Sequence, residues 1–378
     1  MADPERMLES LVQSAQAPNY TKYALQWKQG GGKVWGVLDS YVPEEVLVAA
    51  GILPWRIRGS RTPFPELALQ HRPASSSPYY NHVTQAVLEG ELDFLDGLAA
   101  TDWEQDGTRA YDLFEYWGRP GSGHILHVPQ AKRDRNLAYF VDEIKQFISA
   151  VENFSGTKIT AESLRQATQQ VNTVRGLLRR LYSLRQRAQL PVSGAECLSI
   201  CLAAMTIDRG EFIAKMEQLL PYLETRQSNG SSARPRLLVV SDFLDDLAFL
   251  ELIEGAGSVV AIDDLDTGSR YFWGAVDTDS SDIVRAIAHR YLHRVPCPRM
   301  DFYTEELDQA LQWTADFRVN GVLLLYLPWC YSRQFRNPYW TRRMKEAGIP
   351  FVSLEREYCL FHPAQLKTRV EAFVETLQ

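Results

Sequence analysis

The chain has 378 residues, which is more than one compact core usually contains, so we expect two or three domains. Hydrophobic residues make up 45% of the sequence and charged residues 23%, a composition typical of a globular protein. The 40 basic and 47 acidic residues give a net charge of −7, which argues against a general nucleic-acid binder because phosphate contacts need clustered lysine and arginine.

The polar N-terminus is not followed by a run of about 18 apolar residues, so we expect no membrane association and a cytoplasmic location. Five cysteines are too few for a disulfide framework in a chain of this length. We therefore expect reduced thiols that serve either a site or the core.

The first part of the chain predicts an α/β domain. An amphipathic start gives way near residue 29 to a glycine turn, and strands then alternate with helices, which implies a parallel sheet. The predicted strands lie at residues 33–38, 94–100 and 124–129, and the predicted helices at 43–51 and 81–90.

Helical periodicity replaces the strand pattern in the middle of the chain. It covers three segments: residues 140–154, the residues that follow the N-cap Thr160, and residues 196–220. A polar stretch at 226–235 then has the composition of a linker.

A second α/β domain follows this linker. Its predicted strands lie at residues 236–241, 258–263, 321–327 and 350–354. We therefore predict an α/β fold with two doubly wound, mostly parallel-sheet domains of the Rossmann or flavodoxin type. The domains comprise residues 1–135 and 226–378, and a helical region at 136–225 joins them. A cleft is expected between the two sheets.

Several motifs, in order along the chain, resemble the 2-hydroxyacyl-CoA dehydratase and benzoyl-CoA reductase family. They are a Pro-Glu-Glu…Ala-Ala-Gly…Pro pattern in residues 41–54, Asp-Asp…Thr-Gly…Arg-Tyr-Phe in 263–272, Arg-Tyr-Leu…Pro-Cys-Pro in 289–298 and Leu-Glu…Gln-Leu…Thr-Arg…Glu-Ala-Phe in 354–373. The apolar segment 321–330, which ends at Cys330, is similar to the family's last cluster-ligating stretch.

The resemblance implies that three cysteines of such a subunit hold an iron–sulfur cluster. Counting along the motifs places these positions at Ser77, Glu104 and Cys330, so only one of them is a thiol. Iron–sulfur clusters select thiolates because soft, anionic sulfur suits iron. We therefore predict a degenerate cofactor site in which Cys330 is the one residue suited to bind the metal.

The resemblance further implies a subunit of a heterodimeric complex. Its cluster-bearing partner would be a paralogous chain, and an ATP-hydrolysing activator would deliver the electron for ketyl-radical chemistry on a CoA thioester. Ser40 and Glu45 are our candidate catalytic residues. The alternative is a non-catalytic relative that serves as a scaffold or holds a different cofactor.

Other candidate residues leave alternatives open. Glu45 fits a general base and a first-turn carboxylate equally well. For Asp263, Asp264 and Asp266 we favour a turn and a helix cap over a cation site or a role in proton transfer. The arginines of residues 175–187 fit a solvated helix face better than a CoA phosphate site.

The remaining motifs favour structural roles. Cys197 and Cys201 share a helical face with apolar neighbours, which predicts a core thiol pair rather than a metal site. Cys297 lies between two prolines and is interpreted as structural, and the turn at residues 30–33 precedes a strand, unlike a phosphate loop. His289 and His293 fit a solvated surface, and no His-Glu-x-x-His or Gly-x-Ser-x-Gly motif is present.

Overall fold

The computed structural model describes residues 3–16, 19–117, 119–227, 233–301 and 303–378. These residues form two four-stranded sheets with only parallel pairings, surrounded by helices. The predicted α/β fold with two parallel sheets is therefore confirmed. The part of the predicted linker at residues 228–232 lies outside the described residues.

The first sheet has the strand order β2-β1-β3-β4. Its strands are β1 (Lys33–Val37), β2 (Ile52–Arg56), β3 (Gly97–Thr101) and β4 (Gly123–Leu126). The prediction missed β2 because Pro54 lies at its centre. Proline cannot donate a ladder hydrogen bond. Within the described residues, however, β2 pairs only with β1 and forms the edge of the sheet, where proline is tolerated.

The described residues before α6 form five helices, of which the first packs against α8 and α9 rather than on this sheet. They are α1 (Pro4–Ser14), α2 (Lys22–Gln29), α3 (Glu44–Ala49), α4 (Pro78–Leu88) and α5 (Gln105–Tyr116). The glycine turn between α2 and β1 is confirmed, with Gly31 at φ +85°. The prediction did not include α5, and it placed the start of α4 three residues too late.

The middle of the chain is helical, as predicted. Its helices are α6 (Asp134–Ser155), α7 (Ala161–Ser183), α8 (Gly194–Ala204) and α9 (Arg209–Thr225). The continuous periodicity predicted for residues 196–220 is wrong, since the helix breaks at residues 205–208. Asp208 begins a new helix there, because its side chain accepts hydrogen bonds from the backbone of Gly210 and Glu211.

The second sheet repeats the arrangement of the first, in the order β6-β5-β7-β8. Its strands are β5 (Arg236–Ser241), β6 (Val259–Leu265), β7 (Gly321–Tyr326) and β8 (Phe351–Glu355), close to the predicted bounds. The helices of this part of the chain are α10 (Ala248–Gly255), α11 (Ser269–Phe272), α12 (Ile283–His293), α13 (Tyr303–Asp316), α14 (Tyr331–Glu346) and α15 (Pro363–Glu375). Short 3-10 turns lie earlier in the chain, at Asn19–Thr21, Ala68–Gln70 and Leu184–Gln186.

The segments that follow the strands of the two sheets meet across one crevice. Tyr79 stacks on Phe243 with ring centroids 4.1 Å apart, and the Gly59 amide donates to the Tyr358 hydroxyl at 2.8 Å. The carboxyl ends of parallel strands are where α/β proteins bind ligands. A functional site is therefore expected in this crevice.

Within the described ranges, no helix has both the length and the apolar character needed to cross a lipid bilayer.

Candidate functional site

The three predicted cofactor positions share one structural role. Ser77, Glu104 and Cys330 are the N-cap residues of α4, α5 and α14. None of the three side chains makes a capping hydrogen bond to its own helix. Each position therefore lies beside backbone N–H groups at the positive end of a helix dipole.

Arg299 joins two of these positions. Its Nη2 donates to Glu104 Oε1 at 2.6 Å and to Cys330 Sγ at 3.3 Å. Glu104 and Cys330 are far apart in sequence, so their meeting is a property of the tertiary structure. Reasoning from the sequence missed Arg299, although this residue directly follows the Pro-Cys-Pro motif.

Aromatic rings hold the Arg299 guanidinium in place. Its Cζ lies 4.7 Å from the centroid of Trp103 and 5.5 Å from that of Phe243, as in cation–π contacts. Phe243 follows β5 and has φ 50°, a left-handed conformation that costs a non-glycine residue energy and occurs often at functional sites. The Arg299 side chain is only 8% exposed and the Glu104 side chain 12%.

Burial changes the ionisation of this pair. It raises the pKa of Glu104 to about 7, and Arg299 only partly offsets the effect. Burial by itself lowers the pKa of Arg299, but Cys330 and Glu104 raise it well above its ordinary value. The guanidinium is therefore a permanent cation beside a carboxyl group that titrates near neutrality.

Ser77 lies at the edge of the same region. Its amide donates to Asp106 Oδ2 at 2.8 Å, which connects the amino end of α4 to the first turn of α5, two residues beyond Glu104. Its side chain is buried, and its Oγ has no hydrogen-bond partner among the described residues. The structure thus places all three predicted positions around neighbouring helix ends.

The donor set at these positions does not suit a cluster held by three thiolates. It offers one thiol, one hydroxyl and one carboxylate, and the carboxylate is already ion-paired to Arg299. In the part of the chain that the structure describes, no three histidine, cysteine or acidic side chains are grouped to hold a metal ion.

The predicted catalytic residues lie elsewhere in the crevice. Ser40 follows β1, donates from Oγ to Asp266 and lines a small cavity of about 30 Å³ with Arg56 and Tyr271. Glu45 is fully buried and is not among the residues that line this cavity.

Arg175 and Tyr291 engage the Glu45 carboxylate. Arg175 Nη2 lies 2.7 Å from Glu45 Oε1, and the Tyr291 hydroxyl donates to Oε2 at 2.8 Å. Although burial alone raises the pKa of Glu45, Arg175 and Arg290 outweigh it and lower the pKa. A carboxylate stabilised in this way is a weak proton acceptor, and its role as a base stays a prediction.

The acidic motif at the end of β6 forms ion pairs and caps. The Ser269 amide donates to Asp263 Oδ1 at 2.8 Å, Arg270 pairs with Asp264 at 2.7 Å, and Arg56 pairs with Asp266. These contacts agree with the favoured interpretation of a turn and a cap. They also add buried arginine partners that the sequence did not indicate.

The other four cysteines are buried. Cys197 and Cys201 are fully enclosed in the core, and burial raises the pKa of Cys197 to about 12 and that of Cys201 well above its ordinary value. Burial likewise raises the pKa of Cys297 to about 12 and that of Cys359 to about 11. The packed core thiol pair is as predicted.

The arginines of residues 175–187 do not all lie on a solvated helix face, which differs from the prediction. Arg175 of α7 pairs with Glu45, and Arg185, in the 3-10 turn that follows α7, lies 3.6 Å from Asp263; both arginines are buried. Acidic partners from distant segments balance these two buried charges.

His289 and His293 lie on the surface, as expected. Their rings stack with centroids 4.1 Å apart and border a groove of about 290 Å³ beside Trp273. The neighbouring Arg290 and Arg294, however, are buried rather than solvated.

Comparison with known proteins identifies relatives over most of the chain. The model of the family described as 2-hydroxyglutaryl-CoA dehydratase, D-component, matches residues 39–377. The (R)-phenyllactyl-CoA dehydratase beta subunit of Clostridium sporogenes is 22% identical, over 95% of this chain and 96% of its own length. A benzoyl-CoA reductase subunit of Thauera aromatica is 25% identical over 88% of each chain, and the (R)-2-hydroxyglutaryl-CoA dehydratase subunit beta of Acidaminococcus fermentans is 20% identical over 93% of this chain and 94% of its own.

Proposed function

This chain belongs to the 2-hydroxyglutaryl-CoA dehydratase D-component family, and we propose that it is a subunit of a complex that acts on a CoA thioester. Its relatives are named as subunits of dehydratases and of a reductase whose substrates are CoA thioesters, and the alignments cover nearly the whole length of both chains.

Within such a complex we propose that this chain does not hold an iron–sulfur cluster by itself. The supporting observation is Arg299, whose guanidinium lies between Glu104 and Cys330. A buried cation with an ion-paired carboxylate and one thiol offers too few soft, anionic donors for a cluster. The permanent charge of Arg299 also removes Glu104 from the set of available ligands.

The one-electron chemistry then belongs to a paralogous partner subunit, which we propose receives its electron from an ATP-dependent activator in the cytoplasm. This chain contributes a wall of the substrate cleft through the ends of its strands. Ser40 and Glu45 remain our candidates for residues that act near the substrate. Ser40 is the better placed of the two, since it lines the crevice cavity.

Iron analysis tests this division of labour. We expect that this chain, purified alone and reconstituted anaerobically with iron and sulfide, binds no stoichiometric iron. The complex with its partner should contain iron in proportion to the partner chain. A cluster assembled on this chain alone, with its visible absorption, would contradict the proposal.

The alternative of a purely structural subunit is favoured by the same ion pair, because a carboxylate paired to Arg299 is not available to bind a metal. Replacing Cys330 with serine separates the two functions in the assembled complex. A role near the reaction predicts a loss of activity of about tenfold or more, equivalent to about 1.4 kcal/mol in the barrier, whereas a scaffold predicts no change.

Cys359 provides a matched control for this substitution. It is buried, and its Sγ also accepts a hydrogen bond from an arginine, Arg61 Nη1 at 3.1 Å. Cys359→Ser should leave the activity of the complex unchanged. A visible spectrum of the purified chain also tests for a different cofactor, such as a flavin.

A further inference from the structure

We propose that an exposed aromatic face on α14 is the surface through which this chain binds the paralogous subunit of its complex. The aromatic face consists of Trp329, Tyr331, Phe335 and Tyr339. The inference rests on the proposed function, which supplies the partner, and it adds where that partner binds.

Exposed aromatic side chains are concentrated in this segment. Among the described residues, nine large apolar side chains are exposed, and four of them lie within residues 329–339. Phe335 is the most exposed of the four, at 76%. Single exposed apolar residues are ordinary, whereas a group of them on one surface marks an interaction site. The clustering therefore indicates a binding surface.

Helix geometry places three of these rings on one side of α14. Tyr331, Phe335 and Tyr339 are spaced four residues apart, so they follow one another along one face of the helix. Trp340 and Met344 are buried on the opposite side. The helix thus packs one face against its own chain and presents an aromatic face outward.

Trp329 extends the aromatic face just before the helix begins. Its ring centroid lies 6.5 Å from that of Tyr331, its side chain is exposed, and its φ is 63°. A left-handed backbone is rare for a bulky residue and costs energy, and such strain clusters at functional sites. The chain therefore holds an exposed indole in a costly conformation, and a contact with a second chain accounts for it.

The size of the aromatic face fits the centre of a permanent interface. From their exposed fractions, the four side chains present on the order of 400 Å² to solvent, since one aromatic side chain has about 150–250 Å². This is about half of the ~800 Å² that each partner buries in a standard interface, where aromatic anchors are surrounded by a polar rim. Permanent interfaces are also more hydrophobic than transient ones. The aromatic face therefore fits a permanent subunit better than an activator that docks briefly.

The charges beside the aromatic face indicate what the partner offers. Residues 329–343 include four arginines and no acidic residue. The Arg342 side chain is 65% exposed, and its Cζ lies 5.5 Å from the centroid of the Tyr339 ring. The complementary surface is thus apolar at its centre and carries an acidic group where it meets Arg342.

The aromatic face adjoins the candidate site. Trp329 and Tyr331 flank Cys330, whose Sγ accepts a hydrogen bond from Arg299 at 3.3 Å. A subunit bound to this face therefore lies beside the crevice, where the proposed function requires the chemistry of the partner.

Dissociation of the complex tests the aromatic face. The complex is obtained by co-expression of this chain with the paralogous cluster-bearing chain. Phe335→Glu should raise the Kd by about thirtyfold or more, as expected for an aromatic anchor at the centre of an interface. Tyr116→Glu, which changes an exposed aromatic side chain at the end of α5, should leave the Kd unchanged. Fluorescence-detected sedimentation over a dilution series measures both constants.

Two further measurements separate binding from folding. Because Phe335 packs little within its own chain, the isolated Phe335→Glu variant should keep the wild-type Tm. Tyr331→Ala, a milder change, should raise the Kd by about tenfold. Hydroxyl-radical labelling of the wild type needs no substitution: oxidation of Phe335 should fall when the partner binds, while oxidation of Tyr116 should stay constant.

Three results would overturn the inference. In the first, the wild-type complex forms and Phe335→Glu leaves its Kd unchanged. In the second, the isolated chain dimerises and Phe335→Glu makes it monomeric without affecting the paralogous subunit, so that a second copy occupies the aromatic face. In the third, the variant complex stays intact and loses only activator-dependent activity, so that the activator occupies it.

Failure of the proposed function gives a different result. A wild-type chain that binds no paralogous subunit contradicts the proposed function, and the inference fails with it. A wild-type complex that forms but does not depend on Phe335 contradicts the inference alone.

Discussion

At the residue scale, the crevice balances buried charge through specific local contacts. Asp39 follows β1 and is fully buried, and its carboxylate accepts from the Tyr41 and Thr101 amides at 2.9 Å each. Burial nevertheless outweighs these bonds and the nearby Arg56, and it raises the pKa of Asp39 to about 6. Asp39 is thus a buried acid that binds its proton more tightly in the folded chain than in the unfolded one.

This shift predicts a pH dependence of stability. Because the folded pKa lies above the unfolded value, the contribution of Asp39 is complete below the unfolded pKa and is lost as the pH rises through about 6. The unfolding free energy of the wild type relative to Asp39→Asn should therefore fall by about 2 kcal/mol between about pH 4 and pH 7. Urea unfolding of both proteins measures it, and a difference that does not vary with pH would contradict the prediction.

At the element scale, helix caps decide where the helical middle of the chain is divided. The Asp208 side chain accepts from the Gly210 and Glu211 amides at 2.9 and 3.0 Å, which stabilises the start of α9. Ser193 and Glu196 form a capping box at the start of α8. These local hydrogen bonds explain why one apolar pattern folds as two helices.

The cap of α9 gives a direct prediction. Asp208→Ala leaves two backbone donors at the helix start without their acceptor and should lower the unfolding free energy by about 1 kcal/mol. Glu217→Ala, at an exposed position of the same helix, is the control and should change it by less than about 0.5 kcal/mol. Equal effects of the two substitutions in urea unfolding would show that Asp208 does not act as a cap.

At the scale of the whole molecule, buried ion pairs connect the two sheets. Asp266 follows β6 of the second sheet and accepts hydrogen bonds from Ser40 and Arg56, which follow β1 and end β2 of the first. Burial alone raises the pKa of Asp266, but Arg56 and Arg294 outweigh it and keep the pKa low. The crevice is therefore fixed by contacts that need both halves of the chain.

Removing this charge should destabilise the whole molecule. Asp266→Asn leaves Arg56 buried without its carboxylate, which costs about 3–5 kcal/mol in comparable buried pairs. Differential scanning calorimetry should show a large fall in Tm, while the exposed Asp142→Asn leaves the Tm nearly unchanged. A similar Tm for the two variants would mean that the pair does not hold the sheets together.

The sequence alone determined the two parallel sheets, the helical middle of the chain and the family. Runs such as residues 237–240 and 322–325 are apolar throughout, which is typical of strands buried on both faces, and glycine, proline and capping residues end the elements locally. The strand β2 was not predicted because it contains Pro54. A strand tolerates proline at the edge of a sheet, and the sequence does not show that β2 is an edge strand.

Only the tertiary structure decided what occupies the candidate site. The resemblance grouped Glu104 with Cys330, but nothing near Arg299 in the sequence indicated that it contacts both of them. That contact depends on how the ends of β3 and β7 meet the connection between α12 and α13. The same holds for Arg175 and Glu45, an ion pair between α7 and α3. Local patterns determine elements because the interactions that form them are local, whereas partners of buried charges are chosen by packing between segments distant in sequence.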